Sequence, residues 1–101
     1  NQAMNDGTTP LFIASQKGHL EIVRLILEAS AAINQAEDGG FTPLFIASEN
    51  DHVDVLRLLL EADAAVNQAT DKGVTPLNMA CWKGHLDVAR LLLEAGAAVD
   101  Q

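Results

Sequence analysis

A chain of 101 residues has the size of one small domain, and an apolar share of 49% gives it ample material to bury. Its formal charge of -8, with six basic residues scattered along the chain, leaves no cluster of Lys and Arg such as nucleic acids and anionic membranes require. No apolar run approaches the roughly 18–20 residues that span a bilayer, and no basic-then-apolar leader opens the chain. The single Cys81 excludes an intrachain disulfide framework and points to a reducing, intracellular compartment.

The opening residues already announce a period. Asn1-Gln2-Ala3 matches Asn34-Gln35-Ala36 and Asn67-Gln68-Ala69, and Gly7 matches Gly40 and Gly73. Thr9-Pro10-Leu11-Phe12-Ile13-Ala14-Ser15 then returns as Thr42-Pro43-Leu44-Phe45-Ile46-Ala47-Ser48 and, altered, as Thr75-Pro76-Leu77-Asn78-Met79-Ala80-Cys81. An offset of about 33 residues marks a stacked array, whose units bury their apolar faces against one another. Residues 1–8 read as a partial leading turn, followed by copies at 9–41, 42–74 and 75–101 within one domain. Both ends read as cuts through an array.

In the first copy Thr9 and Pro10 form a helix start: the hydroxyl accepts an orphan N–H, and Pro tolerates the first helical position. The helix predicted from there runs to about Lys17, and Gly18 stops it by taking the left-handed conformation. A second helix is predicted over roughly Leu20 to Ala29. Ile22, Val23, Leu25, Ile26 and Leu27 cover most of its circumference, leaving a narrow polar stripe of Glu21, Arg24 and Glu28. Such a helix must be buried on several sides. The stripe recurs as Asp54, Arg57 and Glu61, then as Asp87, Arg90 and Glu94. Acids three before and four after each Arg can pair along a solvated helix face, and an acid in the first turn suits the helix dipole. Between copies, Asp38-Gly39-Gly40 and Asp71-Lys72-Gly73 read as tight turns.

These residues carry a resemblance. Gly73-Val74-Thr75-Pro76-Leu77, Ala80, Gly84-His85-Leu86-Asp87-Val88, Leu91-Leu92-Leu93 and Gly96-Ala97-Ala98-Val99-Asp100 resemble the ankyrin repeat, and the likeness covers essentially the whole chain. It implies an all-α solenoid of stacked antiparallel helix pairs with projecting β-hairpin loops. It also implies a protein-binding module without catalysis, contacting partners through the hairpin tips and the concave inner-helix face. Departures from the family pattern are informative. Phe12, Phe45 and Asn78 stand where the family usually has His, so the first two copies should depend more on apolar burial. Asp51 replaces the glycine found at Gly18 and Gly84, and Ser30 and Asp63 replace the one at Gly96. Most positions are identical between the first two copies, which suits recent duplication or a consensus-type engineered array.

Candidate sites have competing explanations. His19, His52 and His85 recur once per copy, and repeats stacked at about 8–10 Å hold them too far apart for one ion. With no short-spaced second ligand they read as residues helping to start the second helix, and neither metal nor cofactor is expected. Cys81 precedes His85 by four residues, but it fills the small-residue slot of Ser15 and Ser48 and reads as a buried, inert thiol. No nucleotide fingerprint or catalytic triad appears.

The informative positions are those where the copies differ: Asp6, Gly39 and Lys72, then Thr8, Phe41 and Val74 at the turns. Late in the first helix the differing positions are Gln16, Glu49 and Trp82, then Lys17, Asn50 and Lys83. By resemblance these are partner-contact positions, and Phe41, Glu49, Asn50, Lys72, Val74, Trp82 and Lys83 are the candidate binding residues. Phe41 and Trp82 could anchor a partner, or Phe41 could pack on its neighbouring hairpin and Trp82 lie flat over aliphatic atoms. The expected partner is a protein, weakly favoured to be basic, and not nucleic acid or membrane. Leu25, Ile26 and Leu27 in the first copy and Leu91, Leu92 and Leu93 in the third follow the interior pattern. Weak self-association through uncapped terminal repeats is therefore also expected, and an engineered scaffold with no natural partner is the alternative reading.

Overall fold

A computed structural model describes residues 7–29 and 32–99, so expectations resting on Asn1-Gln2-Ala3, Asp6, Ser30 and Asp100-Gln101 lie outside the described residues. Six helices follow in order: α1 (Pro10–Lys17), α2 (Leu20–Glu28), α3 (Pro43–Glu49), α4 (Val53–Glu61), α5 (Pro76–Lys83) and α6 (Leu86–Glu94). Consecutive helices pack as pairs, and the odd helices pack on one another more closely than the even ones do.

Each odd helix begins on the same device. Thr9, Thr42 and Thr75 are extended, and their hydroxyls accept the backbone N–H groups of Phe12, Phe45 and Asn78 at 3.1 Å, with proline occupying the first turn. At Asn78 the cap is reciprocal: its side-chain oxygen accepts from Thr75 N–H at 3.1 Å. The other two copies have phenylalanine there and bury the ring instead. Helices α1 and α5 stop on Gly18 and Gly84, at φ 76° and 75°. In α3 the same turn is completed by Asp51 at φ 60°.

Leu11, Val23, Leu44, Leu56, Leu59, Leu77, Val88 and Leu92 form one continuous buried stack through the three pairs. Burying such a side chain contributes about 1.5–3 kcal/mol, and the α3–α4 pair, covered on both sides, gains most. On the outer stripe Arg24, Arg57 and Arg90 lie 3.1, 4.0 and 3.8 Å from Glu21, Asp54 and Asp87. Among the described residues no ion pair reaches Glu28, Glu61 or Glu94, so pairing runs only towards the earlier acid. These exposed contacts contribute a few tenths of a kcal/mol each.

The histidines occupy the N-cap positions of α2, α4 and α6, where their carbonyls accept from Val23, Leu56 and Ala89 N–H, and two of the three rings also reach the preceding copy. None makes a side-chain cap. His52 Nε2 lies 2.9 Å from the Gln16 carbonyl and His85 Nε2 lies 2.9 Å from the Glu49 carbonyl. Each ring thus donates to the end of the previous odd helix, where carbonyls lack intrahelical partners. A second ladder runs through the asparagines. Asn34 Oδ1 accepts from Ala65 N–H at 2.8 Å, and Asn67 Oδ1 accepts from Ala98 N–H at 2.9 Å. A third contact joins the turns, where Asp71 N–H donates to the Gly39 carbonyl at 2.9 Å.

Candidate functional site

The turns are positioned by this stacking. Glu37 N–H donates to Phe41 O at 3.1 Å and Gly40 N–H to Glu37 O at 2.9 Å. Thr70 N–H donates to Val74 O and Gly73 N–H to Thr70 O, at 2.9 and 2.8 Å. Each tip is a tight turn closed by one cross-turn pair, with no strand among the described residues.

Between the tips and the odd helices runs a groove of about 470 Å³, lined by Thr8, Glu37 and Phe41 from the turns and by Phe12, Gln16, Phe45, Ile46, Glu49 and Met79 from α1, α3 and α5. Phe41 is 37% exposed, yet its ring centroid lies 5.2 Å from that of buried Phe45, with the planes 39° apart. The favoured tilted geometry holds it firmly. Phe41 packs on Phe45 of α3, and its exposed part lines the groove. Two carboxylates, Glu37 and Glu49, stand in the same lining. The Phe41 N–H donates to Glu37 Oε1 at 3.2 Å, which fixes that acid beside the ring.

The candidate residues from the sequence divide into three groups. Phe41 and Glu49 share the groove. Asn50, although exposed, donates through Nδ2 to Gln16 O at 3.2 Å, the same carbonyl that His52 reaches, so it joins copies. Lys72 and Val74 belong to the next turn, and Trp82 and Lys83 to the end of α5, outside the groove lining. Trp82 is 83% exposed and therefore does not lie flat over aliphatic atoms. Phe12, Phe45 and Ile46 carry no signal of a binding role in the sequence, because they are constant between the first two copies and look like core, and Met79 stands in the same apolar slot as Ile46.

Cys81 requires a correction: it is exposed, not buried. Ser15 and Ser48 in the same slot are fully buried because α3 and α5 pack over them. No described helix covers that face of α5. Among the described residues no three His, Cys, Asp or Glu side chains converge as a metal site. No helix there is long and apolar enough to cross a membrane.

The family model for ankyrin repeats in three copies matches residues 1–69 and 33–101, together the full chain. The chain belongs to the ankyrin-repeat family. Ankyrin repeats are generally protein–protein interaction modules, and the fold is typically non-enzymatic. A comparison with curated proteins gives no match. The ankyrin helix-pair stack accounts for the groove's geometry, while the residues lining it are this chain's own.

Proposed function

We propose that this ankyrin array is a non-enzymatic module that binds a segment of a partner protein in the groove between the turn tips and the odd helices. The observation that carries the proposal is Phe41, whose ring is fixed on Phe45 and whose exposed part shares the groove lining with Glu37 and Glu49. A fixed aromatic ring loses little entropy on binding, which makes it a good anchor. Two carboxylates beside it favour a segment pairing an apolar side chain with Arg or Lys. Lys72, Val74, Trp82 and Lys83 extend the contact surface along the next turn and α5. The net charge of -8 opposes nucleic acid and anionic membrane as partners. With its single cysteine, the chain is read as intracellular.

Selection from a displayed random-peptide library tests this reading. Binders should be enriched in basic and apolar residues and lose binding to Phe41→Ala, with Glu49→Lys weakening it further. A panel indifferent to both substitutions would overturn it.

A second reading is self-association, in a repeat scaffold that has no natural partner. Leu25, Leu86 and Val99 are exposed on the outer faces of the first and third pairs, where the middle pair covers its own counterparts more fully.

A further inference from the structure

The turn that carries Phe41 lies inside the stack. On one side a β-carbon at Gly7 would stand 3.2 Å from Glu37 Cα, and on the other Asp71 N–H donates to the Gly39 carbonyl at 2.9 Å. The Phe41 ring has two fixed neighbours. Its centroid lies 5.2 Å from that of Phe45, and a β-carbon at Gly39 would stand 3.1 Å from its Cε2 atom and 3.4 Å from Glu37 Oε1. Gly39 has φ 100°, and its missing side chain leaves the ring and the acid their places. The corresponding residues are Asp6 and Thr8 in the turn before, and Lys72 and Val74 in the turn after. Glycine and phenylalanine therefore occur together, in this turn alone.

The chemistry of the groove is one-sided. Thr8, Gln16, Glu37 and Glu49 contribute side-chain oxygens, Phe12, Phe45, Ile46 and Met79 contribute an apolar floor, and among the described residues no Lys, Arg or His lines it. Glu37 and Glu49 are both half-buried, so a cation held by them is partly shielded from water and attracted more strongly than at an open surface. An ammonium and a guanidinium would use this lining differently. The ammonium is compact, strongly hydrated and acts as a point charge, whereas the guanidinium is planar, less hydrated, stacks on aromatic rings and spreads five N–H donors around its edge. Acceptors arriving from the turn (Glu37), from α1 (Gln16) and from the end of α3 (Glu49), in one lining with a fixed ring, suit the guanidinium.

From this we infer that the groove selects arginine over lysine in the segment it binds. The guanidinium lies against the exposed part of Phe41 and donates to Glu37 and Glu49, while its methylene stem crosses the apolar floor. The inference rests on the peptide-binding reading and adds the identity of the basic residue. It also makes Gly39 a specificity-determining residue, because it clears the space in which the ring and Glu37 stand.

Amide-resolved NMR titration of the 101-residue chain provides the test. The probes are acetyl-Leu-Arg-Leu-amide and its counterparts with lysine, or with citrulline as the uncharged isostere of arginine, in the middle. The arginine peptide should shift the Glu37, Phe41 and Glu49 amides saturably, and should bind roughly tenfold or more tightly than either counterpart, equivalent to about 1.4 kcal/mol. Glu49→Gln should weaken the arginine peptide and leave the citrulline peptide nearly unchanged. Gly39→Lys combined with Phe41→Val copies Lys72 and Val74 into the first turn, so it retains a residue pair that closes such a turn; circular dichroism checks the fold. That variant should no longer distinguish arginine from lysine. Equal affinity for the arginine and lysine peptides in the wild type overturns the selection and leaves the groove a binder of basic segments. An arginine preference that survives the double substitution overturns the seat on Phe41. If no tripeptide shifts the groove while the displayed library yields binders that depend on Phe41, the arginine seat falls and the peptide-binding reading stands. If the library yields none either, both fall.

Discussion

The imidazole of His52 covers Gly18 so closely that any side chain there meets the ring, with a β-carbon falling 2.8 Å from it. Gly18 and Gly84 share a left-handed backbone, at φ 76° and 75°. Left-handed strain therefore cancels when Gly18→Ala is compared with Gly84→Ala, and the difference isolates the collision. Gly18→Ala should cost about 1–3 kcal/mol more. Denaturant midpoints in dilute solution would measure it, and equal losses would show that the ring moves aside freely.

Asp63 and Asp51 hold φ of 67° and 60°, a conformation that side chains disfavour. Asp63→Gly should stabilise the chain by up to about 1 kcal/mol, the relief being partly offset by glycine's freedom when unfolded. Asp51→Gly should gain less, because Asp51 Oδ2 lies 3.8 Å from His85 Nδ1. A larger gain at Asp51 than at Asp63 would count against this ordering.

Ser15 and Ser48 are equally buried, but only Ser48 finds a partner, donating to Leu44 O at 2.8 Å. Ser15 Oγ has none. Leaving a hydroxyl buried and unpaired costs about 1–3 kcal/mol. Ser15→Ala should therefore raise the thermal midpoint, whereas Ser48→Ala should leave it unchanged or lower it. Equal shifts would mean that the two hydroxyls share one environment.

How much of this was legible in the sequence depends on the range of each interaction. The helix starts and stops are local, written in Thr-Pro and Gly-His, and the observed elements follow them closely. The work of the histidines and asparagines is not local, because each bond joins residues 31–36 positions apart. Within one copy His52 reads as part of a helix start, which it is, and nothing local shows that its ring also reaches Gln16 O. Cys81 shows the same limit: its slot is buried only where another helix lies across it. In the groove, comparison of copies singled out Phe41 and Glu49 by their variation. It passed over Phe12 and Phe45, whose constancy resembles that of pure core.

The asparagine ladder can be tested by symmetry. Asn34→Ala and Asn67→Ala each strand one backbone N–H, that of Ala65 or Ala98. Each should cost about 1–2 kcal/mol where the amide is shielded from water. Ala65 is half-buried, and the Ala98 bond is exposed, so the Asn34 substitution should cost more. The reverse order in denaturant midpoints would contradict this.

Trp82 is the only tryptophan and is 83% exposed. Its fluorescence should be that of a hydrated indole in the native chain and should change little on unfolding. Trp82→Ala should alter stability by less than about 0.5 kcal/mol. A blue-shifted native emission that moves to the red in denaturant would show that the ring is covered.

The neighbour-to-neighbour bonds also bear on how the chain is made. The widest of the side-chain bonds between helix pairs spans 36 residues. At a synthesis rate of about 5–20 residues per second, the partners of any residue in them emerge within roughly 2–7 seconds of it. The first helix pair can thus dock on the second while the third is still being translated.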